Sequence, residues 1–371
     1  MLVAVSTVMD TLEHVRRYVT GNLAGGVDHL VVFLDKPSGD GQDEVLAWLE
    51  DQPQVTAVRA GGRWWGERRP QELNERQCTN ANVAKAALAG LGHPDAWVLH
   101  VDGDEVARVD RSRLDALSGA DSGVDPGVDA VRLAVREAVS RAEWPGEPDL
   151  WKAELDDDEL DLLAGLGLLS EPSNQVWIRG HLMGKTAARA GSATWLTLHK
   201  AVDAERRQVP AHEDDAFTVH HYESYSADDF VRKWVAMVGA GPRASYRAER
   251  RTVARTLRTL ISRDLPEDAL RRALLRYYDT HVAEPVEALR DVGVLHEVDP
   301  LAPLAPGRVP EPLDAAGLAA ALEAHRGADK SAYFRGASPA KGGGTPSARP
   351  DDAGGQGAAR RALGRVVRGK G

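Results

Sequence analysis

The sequence predicts an α/β protein: a mostly parallel sheet flanked by helices, followed by a helical C-terminal region and a disordered tail. Three observations predict it. Short apolar runs alternate with segments of helical periodicity, several runs stop abruptly at acidic residues, and the chain from residue 336 turns to Gly, Ala, Pro and basic residues. Such alternation points to a mainly parallel sheet covered on both faces. With 371 residues, 43% apolar and 27% charged, the chain can bury a large core in about two domains.

The elements follow in order. Residues 2–8 form an apolar, β-rich run, and residues 11–22 place Leu12, Val15 and Val19 at helical spacing. HLVVFLD ends a second strand at Asp35, and a Pro/Gly/Asp turn leads to a helix over 42–50. A strand at 55–59 and a long helix over 70–91 precede WVLHVDGDE, an apolar run that ends in carboxylates. Further strands are expected at 128–138, 175–178 and 194–198, with an acidic helix at 156–169 between the first two. FTVHHY then leads into helices over 227–238, 242–262 and 266–292. Ligands of parallel sheets bind beyond the carboxyl ends of strands, so Asp35 and the Asp102–Glu105 group are expected to converge.

Composition narrows the function. Apolar runs such as 30–34 and 97–101 last about five residues, far short of the roughly 20 a bilayer span needs. The opening MLVAVSTVMD lacks the charged and long apolar regions of a signal peptide, so a cytoplasmic protein is expected. Cys78 stands alone, which rules out an internal disulfide or thiolate cluster and reads as a small buried hydrophobe in a helix. A formal charge of −10 argues against broad nucleic-acid binding, which needs clustered cations. In the tail, Arg360, Arg361, Arg365, Arg368 and Lys370 form either a solvated appendage or a peripheral contact with an anionic membrane surface.

Two motifs carry chemistry. HVDGDE puts Asp102 and Asp104 at a strand end, and two carboxylates one small residue apart suit a hard Mg²⁺ or Mn²⁺ ion bridging a diphosphate. VHHYESYSADDFVRKW closes a second strand with His220 and His221, and imidazole also serves Mn²⁺. Adjacent strand residues point to opposite faces, so one of the two histidines is expected to reach the ion. Trp64 and Trp65 either line a sugar site or fold onto the core, and the Arg-rich stretch 243–263 is either a solvated helix face or an anion-attracting surface.

WVLHVDGDE resembles the donor-site strand of family 2 and related GT-A glycosyltransferases, and HHYESYSADDFVRKW is similar to the downstream pattern of the subgroup that includes the family 92-like enzymes. GKTAARAGSATWLTLHKA between them, and the opening VSTVMDTLEHVRRYVTGNLAGGVDHLVVFLDKPSGDGQDEVL, resemble that subgroup too. The resemblance implies a GT-A, Rossmann-like catalytic domain over residues 1–240, ahead of the helical region 241–330 and the tail 336–371. It implies Asp102, Asp104 and His221 at a metal and Asp35, Arg76, Gln77, Asp102 and Lys185 at a nucleotide-sugar donor, with Asn80 and Arg189 as further candidates. The resemblance further implies a UDP- or GDP-linked donor, a glycan, lipid-linked or small-molecule hydroxyl as acceptor, and inversion of configuration. His100 and His220 depart from the family pattern. No base is fixed; Glu137, Glu143 and Glu147 are weak candidates. The rival readings are a sugar nucleotidyltransferase, disfavoured by the lack of an N-terminal Gly-rich phosphate loop, a hydrolase using the same metal, and a non-catalytic nucleotide- or glycan-binding protein.

Overall fold

The computed structural model describes residues 1–117, 128–239, 248–263 and 265–334. The chain opens with β1 (Leu2–Val8), α1 (Leu12–Ala24), β2 (His29–Leu34), α2 (Gln42–Glu50) and β3 (Val55–Arg59). β1 and β2 are buried along their whole length, as strands covered on both faces must be. The Thr11 side chain caps α1 by accepting from the His14 N–H. A single turn α3 (Gly62–Trp65) and the long α4 (Leu73–Gly90) lead to β4 (Trp97–His100), then β5 (Glu105–Val109), α5 (Arg111–Ala116), β6 (Ala130–Ala138) and β7 (Leu150–Lys152).

α6 (Asp157–Gly165) starts at a capping box in which Asp156 and Glu159 exchange hydrogen bonds with each other's backbone. The strand expected at 175–178 is instead a helical turn, α7 (Asn174–Trp177): the Ser173 side chain accepts from the Gln175 N–H and starts a helix that apolar content alone does not reveal. β8 (Lys185–Arg189), β9 (Trp195–Leu196), β10 (Ala201–Val202) and β11 (His212–His221) follow. Beyond them come α8 (Ala227–Gly239), α9 (Ala248–Ile261), α10 (Glu267–His281), α11 (Val286–Asp291), β12 (Leu295–Glu297) and α12 (Ala315–Glu323). Pro285 separates α10 from α11, where one long helix was expected.

The ten-stranded sheet is mixed rather than mostly parallel. Its β3-β2-β1-β4 half is parallel as expected. β8 then inserts antiparallel to both β4 and β6, β7 and β12 extend the sheet antiparallel, and β11 runs parallel to β6 but antiparallel to β5. The reason is visible in β6: Arg132, Ala134 and Arg136 alternate with buried Val131, Leu133 and Val135, the pattern of a strand with one open face. Apolar clusters cover the two faces of the parallel half. A third cluster, around Phe230, Trp234, Leu257, Leu274 and Tyr278, joins α8, α9 and α10. The region after residue 240 also returns to the sheet through β12, and α12 buries Leu318 and Leu322 in the cluster that holds Trp64 and Trp65.

Candidate functional site

A cleft of about 470 Å³ opens beyond the carboxyl ends of β1 and β4, lined by Asp10, Gln77, Asp102, Gly103, Asp104 and Lys233 among others. This is where a parallel sheet leaves strand ends and backbone groups free for a ligand. Gly103 eases a close approach: a Cβ there would lie 3.0 Å from Val8 Cγ1 on β1, a tight contact. Buried Glu105 ties the turn together, accepting from the Asp102 N–H at 2.8 Å while its other oxygen lies 2.8 Å from His181 Nε2.

Within that turn the two aspartates diverge. Asp102 accepts from Gln77 Nε2 at 2.5 Å and from Lys185 Nζ at 2.7 Å. Asp104 turns toward β11, where the Tyr222 N–H donates to its carbonyl at 2.9 Å and His221 Nε2 lies 3.6 Å from its carboxylate. Glu223 brings a second carboxylate to 3.7 Å from the same imidazole nitrogen. Lys233 Nζ bridges the two acids, 2.9 Å from Asp104 and 2.6 Å from Glu223. Desolvation works against the charge on Asp104, but the Lys233 ammonium and His221 outweigh it and hold the carboxyl well below its usual range. Burial pulls the His221 imidazole down, and Asp104 more than reverses this.

Among the described residues, two groups of acidic and histidine side chains are close enough to hold a metal ion, and His221 belongs to both. One is Asp104, His221 and Glu223; the other is Glu105, His181 and His221, wholly buried. Two carboxylates and an imidazole are a suitable donor set for Mn²⁺, and the His221 and His181 Nδ1 atoms have no hydrogen-bond partner among the described residues. Glu105 is already engaged by Lys185, His181 and the Asp102 N–H, and Asp104 and Glu223 by Lys233, so an ion at either set would replace an ammonium contact; Asp104, 34% exposed, makes the first set the more accessible one.

The other expected residues fall in several places. Asp35 and Arg76 do meet, but as a buried two-pronged ion pair at 2.7 and 2.9 Å, joined by Arg69, and neither lines the cleft. Asn80 links Trp64 to Thr7, and both Trp64 and Trp65 are core side chains. Lys185 is fully buried against Asp102, Glu105 and the Leu198 carbonyl. Arg189 stacks over Trp97 at the opposite end of β4. Glu137 lies under His221, held by Lys152 and by the Arg179 and Gly180 N–H groups. Glu143 is exposed, and Glu147 pairs with Arg17. His100 is buried with its pKa lowered to about 4 by burial and by Lys185, and burial pushes the Cys78 thiol up to about 12. His220 packs on Trp151, on the sheet face opposite His221. Of the stretch 243–263, Arg255, Arg258 and Arg263 are exposed; its first part and the basic tail lie outside the described residues.

Sequence reasoning missed a second polar cluster in the cleft. His14 lies between Asp10, at 2.9 Å, and Asp229, at 3.3 Å, and Arg232 binds both acids. Asp10 follows the end of β1 and was open to the strand-end rule that singled out Asp35. Glu223 stands two residues after His221, the spacing that keeps side chains on one face. His181, on the loop before β8, had no local signal. No protein-family model matches the sequence, and no curated protein matches it.

Proposed function

We propose that this protein is a metal-dependent glycosyltransferase that moves a sugar from a nucleotide diphosphate donor to an acceptor hydroxyl, with inversion. The observation that carries the reading is the convergence of Asp104, which lines a cleft beyond the ends of parallel strands, with His221 and Glu223 buried behind it. These three residues would hold a Mn²⁺ or Mg²⁺ ion. Such an ion supplies compensation for the negative charge that grows on a diphosphate leaving group. Arg17 and Arg232 line the same cleft and add positive charge there.

Inverting transfer also requires a carboxylate within reach of the acceptor hydroxyl. Glu137 is sealed beneath His221 and Glu143 and Glu147 do not line the cleft, whereas Asp10 and Asp229 do. We therefore assign the proton-accepting role to one of this pair. Charge pairing with His14 and Arg232 outweighs burial in both and keeps their carboxyls below the usual range, hence ionised at neutral pH. Calorimetric titration with UDP and GDP, with and without Mn²⁺, tests the reading on wild type and Asp104→Ala. Metal-dependent binding of one nucleotide that the variant loses is the expected result. Binding of neither, or binding indifferent to metal, would overturn it.

A further inference from the structure

We propose that the protein has a second ligand site, for a phosphate or small phosphomonoester, apart from the cleft, on the face of β5, β6 and β11 that carries His220. Strand register builds it. On β6, β11 and β5, Arg136 sits beside His220, and Thr218 sits beside Arg108. Residues alternate along each strand, so these four share one face, while Glu137, His221 and Glu105 share the other. Over the first face lies a cavity of about 360 Å³, closed at its side by Trp151 and by Val298 and Leu304 of the returning chain.

The lining is what an oxyanion requires. Arg108 and Arg136 bring guanidinium groups, Thr218 a hydroxyl, and His220 and His296 imidazoles, against one lining carboxylate, Asp215, with Asp299 and Glu154 acting on the guanidiniums from outside the lining. Neither guanidinium makes a salt bridge among the described residues. Arg108 donates to the Pro300 and Ala302 carbonyls through one nitrogen, each at 3.1 Å, and Arg136 reaches the Val135 carbonyl at 3.4 Å. His220 is 3% exposed and its Nδ1 has no hydrogen-bond partner among the described residues. A buried polar atom left without a partner is costly, and a guanidinium next to it is the side chain best suited to bind phosphate by two parallel hydrogen bonds. A volume of about 360 Å³ exceeds what a bare phosphate fills, leaving room for a small organic group beside Trp151 and Val298.

Isothermal calorimetry with inorganic phosphate and with glycerol phosphate, at constant ionic strength, tests this on the full chain. Saturable binding of at least one is expected, weakened at least tenfold in Arg136→Gln and retained in Arg232→Gln, which alters the cleft instead. Thr218→Val is a second variant of the same pocket, expected to weaken binding severalfold. A preference for glycerol phosphate identifies a phosphomonoester, and equal or better binding of inorganic phosphate identifies the free ion. Absence of saturable binding for both ligands overturns the proposal, as does binding lost in Arg232→Gln but untouched in Arg136→Gln and Thr218→Val. The outcome is independent of the nucleotide titration, which reads the cleft, because the two sites share no lining residue.

Discussion

Replacing Lys185 by Met should unfold the protein more readily before it does anything specific to a donor. The Lys185 ammonium lies 2.7 Å from Asp102 and 3.0 Å from Glu105 and is fully buried. At an effective dielectric of about 20 each attraction is roughly 5–6 kcal/mol, much of it cancelled by the cost of desolvating the charges. The variant removes the attraction but leaves Glu105 buried, so the expected loss is about 3–5 kcal/mol out of a total stability of about 5–15 kcal/mol. The pH dependence follows from the same charges. Burial opposes ionisation of Glu105, but Lys185 and His181 hold its carboxyl well below the usual range, so its contribution is present at neutral pH and lost on acidification. Without Lys185 the carboxyl titrates higher, takes up a proton on mild acidification, and part of the penalty disappears. Urea denaturation should therefore show a larger gap between wild type and variant at about pH 7 than at about pH 5. Adding Glu105→Gln to Lys185→Met should recover at least half of the loss. A gap below about 1 kcal/mol, or one indifferent to pH, would refute the assignment of Lys185 as the buried counter-ion and return it to the donor site.

Asp104→Asn and Glu223→Gln should each weaken Mn²⁺ binding about tenfold or more by calorimetry, and Asp102→Asn should do so less; equal losses would place Asp102 among the ligands. Gly180→Ala should cost about 1–3 kcal/mol in denaturant titrations, because a Cβ at that position overlaps His221 Nδ1 and comes within 2.8 Å of Glu137. One of Asp10→Asn and Asp229→Asn should lower kcat about 10²–10⁴-fold with nucleotide affinity retained, and normal turnover in both would show that the base lies elsewhere. Burial lowers the His29 pKa to about 4, so the unfolded chain takes up that proton first as pH falls below about 6.5; stability is full above that pH and lost toward about pH 4. The slope is about 1.4 kcal/mol per pH unit, and a His29→Gln variant that retains the whole slope would contradict it.

Local pattern revealed the parallel half of the sheet and the turn at Asp102–Asp104, because there the chemistry of a strand end is contiguous in sequence. It did not reveal that Asp102 and Asp104 separate. Their different partners come from β8 and from β11 with α8, and only the antiparallel insertion of β8 brings Lys185 beneath the turn. The same insertion explains why Arg189, four residues further along β8, lies at the far end of β4 beside Trp97. Asp35 and Arg76 were each reasonable as ligand-binding residues, yet their spacing of 41 residues concealed that they neutralise one another. The assignment of a single histidine rested on the two-residue period of a strand, and the placement of His220 against Trp151 and His221 beside Asp104 follows that period.

The strands β5, β6 and β11 therefore organise opposite chemistries across one layer of backbone. Glu105, His221 and Glu137 form a row on the cleft side, where the carboxylates favour cations, while Arg108, Arg136 and His220 make the reverse side favour anions. The two sets are separated only by the pleat, so a one-residue slip of β11 would exchange His220 for His221 and displace Thr218 from the pocket. Register would then be a constraint on both proposed sites as well as on packing. Phe217 and Val219, buried on the His221 side of β11, resist such a slip because it would turn both out of the core. The parallel pairing to β6 shifts between Glu213 and Thr218, so the irregularity is absorbed before Thr218, His220 and His221, the β11 residues of the two proposed sites.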